Sequence, residues 1–217
     1  MEEVRIGAGG LAISASLHGS GSTVIALGHG AGGTRRTPQL VRLAESLGAT
    51  GRRVLLYNFV YTERGRRAPD PPDVLEATTR SVGEYARVAL GAGRLVHGGR
   101  SMGGRIASQA VAAGAPADGL LFLAYPLHPP GKPGKLRDRH LTAIAAPMLF
   151  VQGTRDTFAR PDLLEAVLAR LGPRATHHRV EGGDHSFGVL KRSGRTPTEV
   201  AAELERAVLG WLQRHAF

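Results

Sequence analysis

The sequence lacks cysteine and has few lysine and aromatic residues, and these shortages restrict what the protein can be. Without cysteine there are no disulfides, no thiolate metal ligands and no cysteine nucleophile. No apolar run reaches the roughly 20 residues that a membrane-spanning helix needs. The acidic start, residues 1–5, has no apolar signal core. We therefore expect a cytoplasmic protein with no membrane partner.

The chain is strongly basic, with 28 Lys and Arg against 18 Asp and Glu and a formal net charge of +10. Nearly all of the excess is arginine, and alanine and glycine are abundant, a bias typical of GC-rich coding sequences. No block of five like charges occurs, and no basic helix is interleaved with aromatic residues. We expect no nucleic-acid partner. The composition leaves the oligomeric state open.

Apolar patterning predicts the fold class. The 217 residues suffice for one well-buried core, and we expect a single domain over 1–217. Short apolar runs alternate with longer helical patterns, which favours an α/β fold with a mostly parallel sheet and helices on both faces. The first two strands are expected to form a hairpin. Eight strands are predicted, over 4–6, 11–17, 23–27, 53–59, 95–98, 120–124, 148–152 and 178–181.

The connections carry further signals. Asp73 with Glu76, and Thr196 with Glu199, each have the spacing of a helix-capping box. Only about twenty residues separate the strands predicted over 120–124 and 148–152. We therefore expect little or no lid over the carboxyl edge of the sheet.

A serine lies at the apex of a strand–turn–helix pattern. Ser101 falls within the glycine-rich run 98–104, after the apolar stretch 94–97 and before a helical stretch over 105–113. Glycines two residues to either side remove Cβ atoms that would collide where strand and helix cross. The 30 glycines make chance G-x-S-x-G matches common, so the flanking strand and helix supply the specificity. The pattern predicts Ser101 as a nucleophile.

A serine nucleophile needs a base, and the base needs an acid that fixes its tautomer. His185 follows the last predicted strand in a glycine-rich run and is the predicted base. Asp156 follows the strand at 148–152 and is the predicted acid. Asp162 is a rival, but its place in the first turn of a helix is explained by the helix dipole. Asp184 adjoins the histidine in sequence and is not expected to reach its Nδ1 atom.

The glycine-rich run 28–33 follows the third strand and is the predicted oxyanion loop. Its backbone N–H groups can face a developing negative charge without obstruction by side chains. The expected donors are the amides of Ala31 and Met102, the latter at a helix N-terminus. The run lacks the spacing and the lysine of a phosphate-binding P-loop. We expect His29 to brace this loop, and His18, His140 and His215 to lie at the surface.

Together these residues resemble the α/β-hydrolase superfamily, and within it a small lid-less group related to dienelactone hydrolase. That group includes bacterial predicted hydrolases, a testis-expressed vertebrate protein and, more distantly, a chromatin-complex subunit of the non-specific-lethal type. The resemblance implies an α/β-hydrolase fold with a triad of Ser101, Asp156 and His185. Dienelactone hydrolase itself uses a cysteine, so its particular reaction is not implied. The chain departs from the group at 34–36, where an acidic residue is common. The matching stretches are 28–33, 99–105, 125–133, 152–156 and 182–186.

The loops that follow the strands share one edge of the sheet and carry many basic residues. One interpretation is a basic rim that favours esters or thioesters bearing a carboxylate or phosphate. The other is a general arginine bias on solvated loops, where Glu63, Asp70 and Asp138 reduce the net positive charge. His128 either lines the substrate pocket or is a turn residue between two prolines. The basic residues in question are Arg35, Arg36, Arg64, Arg66, Arg67, Arg100, Lys132, Lys135, Arg137 and Arg155.

The sequence thus predicts a serine hydrolase that cleaves a small acyl ester or thioester through an acyl-enzyme. We expect it to need no metal and no cofactor. The alternative is a non-catalytic binding or scaffold protein that kept the fold, because one relative in the resembling group belongs to a chromatin complex.

Overall fold

The computed structural model describes residues 1–217, and its eight strands form one sheet. The strands are β1 (Glu2–Ala8), β2 (Leu11–His18), β3 (Thr23–Gly28), β4 (Arg53–Tyr57), β5 (Arg94–Arg100), β6 (Gly119–Leu123), β7 (Met148–Gly153) and β8 (Ala175–Val180). Their order is β1-β2-β4-β3-β5-β6-β7-β8. Only the β1–β2 and β2–β4 pairs are antiparallel, so the predicted mostly parallel eight-stranded sheet is confirmed.

Six α-helices cover the two faces of this sheet. They are α1 (Pro38–Gly48), α2 (Val60–Glu63), α3 (Pro72–Val88), α4 (Met102–Ala112), α5 (Pro161–Leu171) and α6 (Pro197–Arg214). Alternate residues of each central strand join different cores. In β3, Ile25 packs with α1 and α6, whereas Val24 packs with α3 and α4. Every residue of β6 and β7 is buried, as expected for parallel strands covered on both faces.

The carboxyl edge of the sheet is open. The segment between β6 and β7 holds one short 3₁₀ helix, Arg139–Ala143, and no helical lid. The prediction of little or no lid is therefore confirmed. None of the helices combines the length and the apolar character that crossing a bilayer requires.

Several predicted elements need correction. The strand predicted over 53–59 ends at Tyr57, and Phe59 is already the N-cap residue of α2. The last strand spans Ala175–Val180 rather than 178–181, because β8 is an edge strand whose first five residues are partly exposed and give little apolar signal. The Asp73–Glu76 capping box is wrong: Pro71 is the N-cap residue of α3, and Asp73 lies within its first turn. The box at Thr196 is confirmed, since its hydroxyl accepts from the Glu199 amide and the Glu199 carboxylate accepts from the Thr196 amide.

Candidate active site

Ser101 stands at a sharp turn between β5 and α4, in a backbone conformation that L-residues rarely adopt. Its φ is 50° and its ψ is −114°, which lies outside the favoured regions. A Cβ atom added at Gly99 or Gly103 would lie 2.2 Å from the carbonyl oxygen of Gly28. The two glycines therefore let the turn approach the end of β3. The obstacle they avoid is this neighbouring strand, rather than the crossing of β5 and α4 that the sequence suggested.

The structure brings Ser101, His185 and Asp156 together in one hydrogen-bonded chain. The His185 Nε2 atom lies 2.8 Å from the Ser101 hydroxyl, and its Nδ1 atom lies 2.8 Å from Asp156 Oδ2. An ionised carboxylate only accepts hydrogen bonds, so Nδ1 carries the proton and Nε2 is left to accept from the hydroxyl. This is the tautomer that a general base requires.

The two rival aspartates are engaged elsewhere. Asp162 is exposed and ion-paired with Arg160. Asp184 Oδ1 accepts from the backbone amides of Ser186 and Gly188, which shapes the turn after His185. Neither carboxylate is hydrogen-bonded to the His185 ring. Of the three aspartates, only Asp156 is hydrogen-bonded to the His185 ring.

Two neighbours that the sequence did not indicate, Gln152 and Phe158, hold Asp156 and His185 in place. The Gln152 amide donates to Asp156 Oδ2 at 2.5 Å, and the Phe158 backbone amide donates to Oδ1 at 2.8 Å. The Phe158 ring also stacks on the His185 ring, with centroids 4.1 Å apart and planes at 27°. Both Gln152 and Phe158 flank Asp156 closely, and this proximity was the only sequence signal for either.

The predicted oxyanion loop is held by His29, as expected. Since the Phe59 backbone N–H donates to His29 Nε2, the proton sits on Nδ1, which donates to the Gly30 carbonyl at 2.8 Å. The Gly33 amide donates to the same carbonyl at 3.0 Å. Burial lowers the pKa of His29 to about 4. The imidazole is therefore neutral at physiological pH, and two donors fix the Gly30–Ala31 peptide plane.

The fixed orientation of the Gly30–Ala31 peptide also sets the direction of the Ala31 N–H, the predicted oxyanion donor. In a trans peptide the N–H points opposite to the C=O, so the Ala31 amide is directed away from His29. The Ala31 N–H donates to no group of the chain. A Cβ at Gly30 would lie 3.7 Å from the Ser101 Cβ atom, which places this loop beside the serine. Met102 is the first residue of α4, so its amide lacks a partner within the helix.

Arg100 links the three loops around the serine. Its Nη2 atom donates to the His185 carbonyl at 3.3 Å and to the Ser186 hydroxyl at 2.9 Å. Its Nη1 atom lies 3.1 Å from where a Gly30 Cβ would stand. Burial lowers the pKa of this guanidinium, opposed by the charges of Asp156 and Asp184. Arg100 thus holds the turn after His185 against the turn that carries Ser101. Its place in the predicted basic rim did not indicate this role.

The remaining histidines are mostly structural. His128 is buried: its Nε2 atom accepts from the Arg160 amide at 3.0 Å, and its Nδ1 atom contacts the Pro129 carbonyl at 2.9 Å. This pins the segment after β6 to the loop that carries Asp156. The prediction of a surface position is wrong for His18, which is buried in β2, and for His140, which packs against α4. No three His, Asp or Glu side chains converge to hold a metal ion.

The predicted basic rim is divided. Arg35 is buried and paired with Glu3, Arg66 pairs with Asp70, and Arg155 donates to the Gly182 carbonyl. The other loop cations outside Arg100 form no salt bridge with this chain and are exposed or half-buried. They are Arg36, Arg64, Arg67, Lys132, Lys135 and Arg137.

A mostly parallel sheet, with a serine turn, an acid loop and a histidine loop at its carboxyl edge, defines the class of α/β-hydrolases. Residues 21–213 match the family model described as an alpha/beta hydrolase domain. The chain therefore belongs to the α/β-hydrolase family.

Several solved structures share this fold. An alpha-beta serine hydrolase homologue from Coxiella burnetii is 18% identical, with a TM-score of 0.76 and 97% of each chain covered. A serine hydrolase without a lid from Xanthomonas campestris is 20% identical, with a TM-score of 0.73 and coverage of 97% of this chain and 94% of that one. Dienelactone hydrolase from Anabaena variabilis is 18% identical, with a TM-score of 0.75 and coverage of 98% and 97%.

Proposed function

We propose that this protein is a serine hydrolase that cleaves a small acyl ester or thioester through an acyl-enzyme. The observation that carries the proposal is the chain of two 2.8 Å contacts from Asp156 through His185 to Ser101. Membership of the α/β-hydrolase family supports hydrolysis as the class of reaction. The strained backbone of Ser101 supports it as well, because such strain clusters at functional sites.

The proposed reaction has two half-reactions. The Ser101 oxygen attacks the acyl carbon while His185 Nε2 takes the hydroxyl proton, and the carbonyl electron pair moves onto oxygen. The Ala31 and Met102 amides stabilise that oxyanion. The intermediate then expels the alcohol or thiol, which takes the proton from His185. A water molecule, deprotonated by His185, attacks the acyl-enzyme, and the acid departs as the proton returns to Ser101.

An anionic group on the small-molecule substrate is supported by the charge balance at the sheet edge. The acidic residues that could offset the rim are each paired with a cation: Glu63 lies 3.4 Å from the Arg5 guanidinium, and Asp70 pairs with Arg66. Asp138 pairs with Arg170. We therefore propose a carboxylate- or phosphate-bearing acyl substrate. Matched neutral and anionic 4-nitrophenyl esters at low salt test this, and a preference for the neutral ester contradicts it.

Labelling with a serine-directed fluorophosphonate tests the proposed nucleophile. The wild-type protein should label and Ser101→Ala should not, with at least a 10⁴-fold loss of ester turnover and an unchanged unfolding midpoint. Ser108→Ala is the matched control, because Ser108 also lies 2.8 Å from a histidine Nε2 atom. It should label fully.

Two outcomes would refute the assignment. Normal turnover by Ser101→Ala would show that the reaction occurs elsewhere. Absence of labelling in the folded wild-type protein, together with no turnover of an ester and thioester panel, would favour the binding or scaffold alternative.

We further propose that residues 1–217 act as one cytoplasmic domain without nucleic-acid or membrane partners. Kinship with the testis-expressed protein and the chromatin-complex subunit remains a prediction.

A further inference from the structure

A cavity of about 570 Å³ lies between the first turns of α1 and α6 and the turn that follows His185. Ser101, Asp156 and His185 do not line it, although Ser186 and Phe187 do. The cavity is thus next to the proposed active site but separate from it. Its volume lies within the range of small-molecule sites, roughly 300 to 1,000 Å³.

Most of the surface that lines this cavity is apolar, although only seven of its sixteen lining residues are hydrophobic. Leu43 comes from α1, Leu123 from the end of β6, and Phe187 from the histidine turn, while Val200 and Leu204 come from α6. Such a surface favours an alkyl group, because transfer of CH₂ groups from water to an apolar environment is favourable.

The rim of the cavity carries one cation without a partner. Arg42 pairs with Glu205 at 2.6 Å, and Arg195 pairs with Glu203 and donates to the Glu181 carbonyl. Lys191 also lines the cavity but forms no salt bridge. Lys191 is therefore the one charged lining residue without a salt-bridge partner, and it would complement a negative charge on an occupant.

The surroundings argue against a protein partner. A standard interface buries about 800 Å² on each partner around an apolar centre. The chain exposes four large hydrophobic side chains, those of Met1, Val88, Leu136 and Leu190. Only Leu190 belongs to the segment that lines the cavity. No extended patch of large exposed hydrophobic side chains therefore surrounds the cavity.

From this geometry we propose that the cleft binds a medium-chain fatty acid. Its alkyl chain lies among Leu43, Phe187, Val200 and Leu204, and its carboxylate pairs with Lys191. This is a second ligand site beyond the proposed hydrolase reaction, and it does not depend on Ser101 being a nucleophile.

Calorimetric titration of the full-length Ser101→Ala protein with sodium decanoate, below its micellar concentration, tests the proposal. We expect one saturable equivalent. Ala201→Phe places a ring in the cleft and should weaken binding at least tenfold. Lys191→Gln should weaken decanoate binding roughly two- to fivefold, the range of an exposed ion pair, and leave 1-decanol binding unchanged. Lys135→Gln, a lysine outside the cleft, should bind as the parent does.

Three results would overturn the proposal: no saturable binding, binding that Ala201→Phe leaves intact, or a wild-type dimer that Ala201→Phe dissociates. Circular dichroism and unfolding midpoints check that each variant folds. If Ala201→Phe does not fold, Lys191→Gln decides the matter: decanoate binding that is not weakened relative to 1-decanol binding would overturn the proposal. Decanoate contains no bond for the enzyme to cleave. Failure here would therefore leave the fluorophosphonate result untouched, and failure of labelling would not affect this titration.

Discussion

Ser101 and Ser108 show that a short serine–histidine contact does not by itself make a nucleophile. Each hydroxyl lies 2.8 Å from a histidine Nε2 atom. Ser108 also donates to the Arg105 carbonyl at 2.7 Å, so its only proton is already committed. Burial lowers the pKa of its neighbour His140 to about 4, which makes a poor base. The pair fastens α4 to the segment after β6, whereas His185 is oriented by a carboxylate.

The residue that orients His185 gives a sharp prediction. In Asp156→Asn, the new carbonyl would keep accepting from the Phe158 amide, and the new NH₂ would face His185 Nδ1 and, after a flip of the Gln152 amide, its unpaired Oε1 atom. Nδ1 must then accept, Nε2 becomes protonated, and it can no longer take the proton of Ser101. We expect kcat to fall about 10³- to 10⁴-fold with KM little changed, as known for this change in a serine protease triad.

Steady-state kinetics on an ester substrate would measure this effect, with Asp162→Asn as the control. The control carboxylate is exposed and pairs with Arg160, so its loss should leave kcat unchanged. An Asp156→Asn variant within tenfold of the wild type would show that another acid acts on His185.

His29 provides a test of the oxyanion loop. His29→Leu removes the donor to the Gly30 carbonyl and frees the Gly30–Ala31 peptide to rotate. We expect kcat to fall about 10- to 100-fold, less than the 10² to 10³ that loss of an oxyanion donor costs, with KM little affected. His29→Asn places an amide N–H where Nδ1 stood and should recover most of the loss. Equal loss in both variants, or a change in KM alone, would contradict the positioning role.

At the scale of elements, the sequence predicted what local sterics and burial dictate. The runs in β6 and β7 are continuous and apolar, and the elbow around Ser101 depends on glycines whose Cβ atoms would meet Gly28. The sequence did not predict the limits of β8 because this edge strand is only partly covered, so most of its residues are partly exposed and need not be apolar. The spacing of Asp73 and Glu76 predicted a capping box, but α3 begins earlier, at Pro72 with Pro71 as its N-cap residue. Asp73 therefore lies inside the helix and cannot cap it.

The real capping box at Thr196 predicts a stability effect. Thr196→Ala removes the acceptor of the Glu199 amide and should lower the free energy of unfolding by about 1 kcal/mol. Asp73→Ala should cost less, since Asp73 only lies near the positive end of the α3 dipole. Urea denaturation monitored by circular dichroism measures both. A larger loss in Asp73→Ala than in Thr196→Ala would contradict this account of the two helix starts.

At the scale of the whole molecule, the order of nucleophile, acid and base along the chain predicted which groups the sheet edge brings together. The sequence did not show what the interior does to the other histidines. Burial lowers the pKa of His29, His97 and His140 to about 4 in each case. These residues come from a loop, a strand and a 3₁₀ helix, and only tertiary packing dehydrates them. The residues adjacent to each histidine in the sequence do not indicate whether its ring is buried in the folded protein.

Buried neutral histidines make the fold sensitive to acid, and His97 offers the cleanest test. Its ring is fully buried, and neither nitrogen has a hydrogen-bond partner. Burial, with a smaller effect from the charge of Arg87, lowers the pKa of His97 from 6.5 to about 4. Between these values the unfolded chain binds a proton that the folded chain does not, so stability falls as pH falls through this window. This residue should account for about 2 kcal/mol of the loss between pH 8 and pH 5.

His97→Leu removes that proton site and two unpaired buried nitrogens, so the variant should lose about 2 kcal/mol less than the wild type on going from pH 8 to pH 5. The ring packs closely against Gly83, where an added Cβ would lie 2.7 Å from Nε2, and leucine should fit there because its side chain is shorter than that of histidine. Urea denaturation at both pH values measures the difference, with the partly exposed His178→Gln as the control. If His97→Leu and the wild type lose the same stability over this interval, protonation of His97 in the unfolded state does not contribute to the acid sensitivity.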